Sequence, residues 1–187
     1  MLADRYDQVV AVEPLDELRE ILVERVPAAD VRAGAAESIP VDDAEADAVF
    51  AGQSFHWFAN DIALAEITRV LRPGGVLALL WNHRTGRSPL PDAYRQRLAE
   101  LHDERRPAPV DELILRRFPF GEEHEDAVDH EQVSSRDEVL AFAASVSWIA
   151  SRDDREQVLD ELAALLPAGN YTFPMRTEVT WAIRTSD

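Results

Sequence analysis

Two short stretches carry residue types able to do chemistry. In the first, the apolar run Val9-Val10-Ala11-Val12 leads into Glu13. An acidic residue closing a strand in this way accepts the ribose hydroxyls of a nucleotide in α/β nucleotide-binding folds. The alternative is a solvated acid before the turn at Pro14. In the second, Gln53-Ser54-Phe55-His56-Trp57-Phe58 follows the apolar run Ala48 to Ala51. In an open parallel sheet the carboxyl ends of strands are where ligands bind. An imidazole there could take a proton from a hydroxyl or amine near neutral pH. The competing reading has His56 capping the next helix, with Phe55, Trp57 and Phe58 as core.

Other chemistries lack residues. The chain has no cysteine, which removes disulfides, thiolate metal sites and a thiol nucleophile and fits a reducing compartment. His83, His102, His124 and His130 have no H-E-x-x-H or similar spacing, and neither a G-x-S-x-G nor a phosphate loop occurs. The acidic run Glu122 to Asp126 reads as a solvated loop, so no metal site is expected. Thirty-six acidic against nineteen basic residues give a formal charge of −17, which repels nucleic acids and anionic membranes. The longest apolar run, Val76 to Trp81, is far short of the ~20 residues of a membrane span, which reads as a cytoplasmic protein.

The elements that must position these residues alternate. Gln8 to Glu13 reads as a strand, Leu15 to Arg25 as a helix, Asp30 to Ala33 and Asp47 to Ala51 as strands. Asn60 is a fitting N-cap for a helix carrying Ile62, Leu64, Ile67, Val70 and Leu71, which Pro73-Gly74-Gly75 should stop. Val76 to Trp81 has no polar alternation, as expected of a strand covered on both faces. Such alternation means right-handed βαβ units and an α/β fold. Past the connector Arg84 to Pro91, a charged helix spans Asp92 to Arg106, ended by Pro107-Ala108-Pro109. A strand is expected near Ala127 to Val133. Ser135-x-x-Glu138 forms a capping box for one helix and Ser151 opens another. Thr172 to Arg184 closes the chain as a strand in which Val179, Trp181 and Ile183 alternate with polar residues, leaving one face wetter.

Four segments in this order resemble the class I S-adenosylmethionine-dependent methyltransferases of the type 11, small-molecule kind. They are VVAVEPLDELREIL at 9–22, VRAGAAESIPVDDAEADAVFAGQSFHWF at 31–58, EITRVLRPGGVLALLWNHR at 66–84 and FPMRTEVTWAIR at 173–184. The resemblance implies a Rossmann-like, three-layer α/β/α fold, with a mostly parallel sheet and an antiparallel C-terminal strand. One methyltransferase domain would span 1–187, with the cofactor half in 1–84 and substrate-side helices and closing strands in 85–187. It implies S-adenosylmethionine as cofactor and a small-molecule methyl acceptor as partner. Glu13 then takes the ribose hydroxyls, Leu15 lies against adenine unless it is ordinary core, and the turn at Ala36 and Glu37 meets the ring edge. The family often has Asp where this chain has Ala35, so that side chain cannot read the adenine amino group. Gln53 lines the methionine end, His56 and Trp57 face the methyl donor and acceptor, and Trp81 and Asn82 wall the substrate pocket. His56 is the candidate catalytic residue, and Trp57 could offer a cation–π face to the sulfonium.

One departure from the family pattern is large. Class I members begin with a central strand and a G-x-G-x-G loop, whereas only eight residues precede Val9 and none is glycine. Cofactor binding depends on how that loss is met. Without the first central strand two sheet edges would face each other unpaired, at ~1–3 kcal/mol per buried unsatisfied group, against a net stability of ~5–15 kcal/mol. Three resolutions follow: the chain begins upstream of Met1, the two flanking strands pair directly, or a partner, including a second copy of the chain, supplies a strand. The preferred expectation is a start set too far downstream, giving an N-terminally truncated form with impaired activity. The alternative function is a non-catalytic α/β module used for oligomerisation or protein binding.

Overall fold

The structure, a computed structural model, describes residues 4–101 and 114–186. The predicted helix end past Leu101 and the break at Pro107 to Pro109 lie outside the described residues. The chain divides into two compact units. The first comprises Met1–Leu80, Ala108–Asp126 and Val179–Asp187; the second comprises Trp81–Pro107 and Ala127–Glu178.

In the first unit β1 (Val10–Glu13), α1 (Asp16–Arg25) and β2 (Asp30–Ala33) form a parallel βαβ unit, with Glu13 opposite Ala33. β3 (Ala46–Gly52), α2 (Asp61–Val70) and β4 (Leu71–Arg84) form another, with Ala51 opposite Leu79 and Gly52 opposite Leu80. These two pairs belong to different sheets: among the described residues β1 pairs with β2 and no other strand, and the second sheet runs β3-β4-β6-β5. Direct pairing of the two flanking strands, one of the three expected resolutions, is therefore not what the chain adopts.

α2 forms because its apolar residues share a face and its start is capped. Asn60 Oδ1 accepts the backbone N–H groups of Ile62 and Ala63 at 3.0 and 2.9 Å, as its sequence position predicts. Ala63, Leu64, Ile67 and Val70 are buried, each larger side chain contributing ~1.5–3 kcal/mol. Leu77, Ala78 and Leu79 are buried in succession, so β4 is covered on both faces there. Against expectation, this strand begins at Leu71 and Arg72-Pro73-Gly74-Gly75 lies inside it. Leu71 pairs with Ala46 and Val76 with Ala48, so the ladder bulges outward through the proline and glycines. Gly74 has φ +81°, and a Cβ on Gly75 would meet Arg72 O at 2.9 Å. α1 keeps the predicted spacing yet buries none of its residues; Leu18 and Ile21 are exposed.

The turn between β2 and β3 is held by Arg69 of α2. Its guanidinium donates to Glu66, to Asp43 Oδ1 at 2.7 Å and to the carbonyls of Ile39 and Val41 at 2.9 Å. Glu66 also accepts the Ile39 N–H at 3.0 Å. The hydrogen bond from Arg69 holds the Glu66 carboxyl below its ordinary range and raises Arg69 itself.

The second unit packs α3 (Asp92–Leu101), α4 (Arg136–Ser145), α5 (Ser147–Ala150) and α6 (Arg155–Leu165) around Tyr94, Ile149, Val158, Leu162, Leu166 and Phe173. Ser135 and Glu138 make the predicted reciprocal capping box. Ser151 does not open α6: Asp154 is its N-cap, with that carboxylate held by Arg152 at 2.6 and 2.9 Å.

β5 (His124–Ser135) is longer than the 127–133 expected and takes in the end of the acidic run. His124 stacks on Trp181 at 4.2 Å, and Asp126 accepts the Trp181 indole N–H at 3.0 Å, so these residues are strand rather than loop. β6 (Asn170–Ile183) lies antiparallel to β4, since Arg184 bonds Gly75 while Thr85 bonds Pro174. Phe173, Met175 and Ala182 of this strand are buried; of the alternating apolar residues Val179, Trp181 and Ile183, the first two are half-buried and Ile183 is exposed.

Two stability measurements check this account. Asn60→Ala should cost ~1 kcal/mol by urea unfolding, and more if the Glu37 contact described below is lost as well. Because folding depresses the Glu66 carboxyl, its contribution is complete above the ordinary glutamate range and disappears as pH falls through the folded value. Wild type should therefore lose stability relative to Glu66→Gln as pH drops below ~4, and parallel pH curves would contradict this.

Candidate cofactor site

The carboxyl end of β1 and the turn after β2 are brought together by register. Glu13 sits opposite Ala33, and Gly34 follows at once. A Cβ on Gly34 would stand 2.7 Å from Pro40 Cδ and 3.0 Å from Val12 Cγ1, so only glycine lets residues 34–40 fold against β1. Ser38 N–H donates to Ala35 O at 3.0 Å and closes the turn, placing Ala36 and Glu37 at its tip.

Glu13 is half-buried, and its Oε1 accepts the Leu15 N–H at 3.0 Å. Arg19, reaching back from α1, donates to the carbonyls of Glu13 and Pro14 at 2.8 Å each. The carboxylate is thus oriented by backbone while Arg19 pins the peptide that carries it. An ionised carboxylate has about four acceptor sites, so one backbone bond leaves capacity for two hydroxyls. Leu15 is 55% exposed, which removes the ordinary-core alternative and leaves its face available to a ring. Arg19 had not been singled out from sequence; its i,i+3 pairing with Asp16 is the local signal that could have marked it.

Glu37 Oε1 accepts Asn60 Nδ2 at 3.0 Å. Asn60 therefore caps α2 with its oxygen and ties the 34–37 turn to the same helix with its nitrogen. Sequence suggested the cap and missed the tether, because the tether joins residues 23 apart in the chain.

The second stretch follows β3. Gln53 N–H extends the ladder to Leu80 O at 2.9 Å, but its φ is +55°, a left-handed conformation that turns the chain sharply. A single turn of 3₁₀ helix, Phe55–Trp57, follows. Phe55 is its anchor, 1% exposed and edge-on to Phe58 at 5.6 Å. His56 is half-buried, with its ring 4.7 Å from Trp57. Trp57 is 75% exposed. The bland reading fails in two places: Trp57 is not core, and the residue that caps α2 is Asn60, not His56.

Trp81 and Asn82 belong to the second unit. Trp81 is half-buried; Asn82 Oδ1 accepts the Thr177 hydroxyl at 2.6 Å, and Thr177 also contacts His130 Nε2 at 3.0 Å. Asn82 thus joins β4 to β6 there.

Parallel βαβ units with a carboxylate closing β1 and a sharp turn after β3 have the pattern of an α/β nucleotide-binding fold. Comparison with known proteins gives the family. A family model described as a methyltransferase domain matches residues 1–79. An uncharacterized methyltransferase-like protein of Schizosaccharomyces pombe is 32% identical over 175 residues, covering 89% of this chain and 68% of that protein. An uncharacterized methyltransferase of Mycobacterium bovis is 44% identical over 86 residues, 46% of this chain and 35% of that one. A second S. pombe methyltransferase, also uncharacterized, is 44% identical over 89 residues, and the match spans 48% of this chain and 36% of that protein. Among solved structures, a protein of Anaeromyxobacter dehalogenans provisionally described as a Type II methyltransferase superposes with a TM-score of 0.63. It is 24% identical, with 98% of this chain and 83% of that one covered, a likeness of fold. The chain belongs to the class I S-adenosylmethionine-dependent methyltransferases.

The residues present fit one end of that cofactor. Glu13, exposed Leu15 and the backbone of the 34–37 turn supply a carboxylate, an apolar face and peptide groups on one sheet edge, which suits a ribose and an adenine. The glycines of this chain are 34, 52, 74, 75, 86, 121 and 169, and none forms the G-x-G-x-G cradle.

The strained position gives a clean test. Gln53→Gly should leave thermal stability nearly unchanged, whereas Gln53→Val, β-branched at positive φ, should cost ~1–3 kcal/mol in denaturant unfolding. Equal effects would mean that the left-handed turn is absent in solution.

Proposed function

We propose that the chain is the core of an S-adenosylmethionine-dependent methyltransferase acting on a small molecule. The observation that carries this reading is Glu13, oriented by Leu15 N–H at the carboxyl end of β1 and facing the Gly34 turn. The cofactor, when bound, supplies an activated methyl group, and its transfer needs chiefly alignment and a dry surrounding. The chain's own part is to hold the ribose through Glu13, to bed the adenine on Leu15 and the Ala36-Glu37 backbone, and to present Gln53, His56 and Trp57 beyond β3. His56 serves as the proton acceptor for the attacking hydroxyl or amine. Glu37 is already bonded to Asn60, so its part is to brace the turn more than to reach the ring.

Turnover by these 187 residues is expected to be slow, because no glycine cradle is present for the methionine end. A rate above ~1 s⁻¹, ordinary for an enzyme, would overturn that expectation.

Calorimetric titration with S-adenosylhomocysteine tests the cofactor reading. Saturable binding is expected, weakened roughly ten- to hundredfold in Glu13→Gln, the size of a lost charge-assisted hydrogen bond. No binding up to about 1 mM ligand, ~4 kcal/mol of affinity, would sink it. In methyl-transfer assays His56→Ala should lower kcat by ~10²–10⁴ if it accepts the proton. A raised KM at unchanged kcat would reduce it to a wall of the acceptor site.

A further inference from the structure

The second unit contains a recess that the reading above does not use. Arg84, Leu90, Tyr94, Leu98, Val139, Phe142, Ala143, Val146 and Trp148 line a cavity of about 50 Å³. All but Arg84 present apolar or aromatic surface, so the walls favour a carbon skeleton. Two of these residues bring polar groups to it: Arg84, whose side chain is exposed to solvent at the mouth, and Tyr94. The Arg84 guanidinium carbon stands 4.4 Å from the Phe173 ring centroid and 5.1 Å from that of Phe142. Rings on which a guanidinium rests fix its direction without satisfying its N–H donors. Among the described residues no carboxylate, carbonyl or hydroxyl pairs with it, although acids outnumber bases nearly two to one in this chain. Tyr94 is 1% exposed; among the described residues its hydroxyl makes no hydrogen bond to the protein, and it is not one of the buried polar atoms left unpaired, so it reaches solvent through the recess. The arginine and the phenol are close enough to influence each other electrostatically, and burial raises the phenol and lowers the guanidinium from their ordinary values.

We propose that this recess is a binding site for a small organic carboxylate, with Arg84 and Tyr94 holding the carboxylate and the apolar walls its carbon stem. A carboxylate matches both groups: it accepts from the fork of guanidinium N–H donors, which favours its planar geometry, and from the phenol O–H. A cation of similar size would meet Arg84 with like charge, and a neutral apolar molecule would leave both donors unpaired. A cavity of about 50 Å³ holds roughly four water-sized groups, so the acid, or the end of it that enters, has four to six heavy atoms. Binding of this kind stands whether or not the chain transfers methyl groups, since every residue involved lies in the second unit.

The test is a titration of the full chain with butyrate, butylamine and butanol at equal ionic strength. It is followed by ligand-observed NMR and by shifts of the Trp148 indole resonance. Butyrate alone should saturate and shift that resonance. Arg84→Met, which keeps an apolar stem between the two rings, should weaken butyrate at least tenfold, and Tyr94→Phe by roughly three- to tenfold. Arg84 is packed on two rings, so circular dichroism must confirm the fold of its variant. If that variant unfolds, Arg84→Lys and Tyr94→Phe decide the matter, both expected to bind more weakly than wild type while folded. Indifference of the protein to the charge of the three probes, or full butyrate affinity in folded Arg84 and Tyr94 variants, would overturn the proposal.

Discussion

One amide side chain carries much of the first unit. Asn60 spends its oxygen on two backbone N–H groups at the start of α2 and its nitrogen on Glu37. A helix whose first turn is unsatisfied frays, and a turn without an anchor wanders. Here the same residue prevents both. Roughly two turns further on, Glu66 and Arg69 grip residues 39–43 of the same connection. α2 is therefore fixed from both ends to the segment linking β2 to β3, while its apolar face is buried. The tip of that segment at Ala36 and Glu37 inherits its position from this helix.

The two ends of the candidate cofactor site are built by different means. At β1 the order is local: Glu13, Leu15 and Arg19 lie within one βα turn and satisfy one another's backbone groups. After β3 the order comes from packing, because Phe55 is buried and anchors the single helical turn that carries His56 and Trp57. Strain sits between them at Gln53, whose left-handed backbone turns a ladder residue into the start of a loop. Such conformations persist when surrounding contacts over-determine them, and the bond to Leu80 with the burial of Phe55 does so here.

In the second unit the polar chemistry is of another kind. Its surface pairs, Arg97 with Glu161, Arg176 with Asp129 and Arg152 with Asp154, are solvated ion pairs of modest worth. Arg84 stands apart from them, resting on aromatic faces where its carboxylate counterpart is missing among the described residues. Tyr94 lines the same recess.

What was legible before any coordinates were those features whose causes are local. The Asn60 cap, the Ser135-Glu138 box, the continuous burial of Leu77 to Leu79 and the strand closing on Glu13 each follow from neighbours within a few residues. For the two caps the hydrogen-bond partners lie within three residues in the chain. Features set by distant partners were not. Whether Leu71 starts a strand depends on Ala46; whether Ile183 or Ala182 faces inward depends on which residues β6 meets. Whether β1 joins β3 depends on a competition between sheet edges that periodicity does not record. The tether from Asn60 to Glu37, the Arg69 clamp and the meeting of Arg84 with Tyr94 are likewise long-range. Side-chain identity determines what a group can bond, and the folded chain determines which groups come within 3 Å of it. The type of chemistry was therefore readable from Glu13 and His56, while their surroundings were a matter of packing.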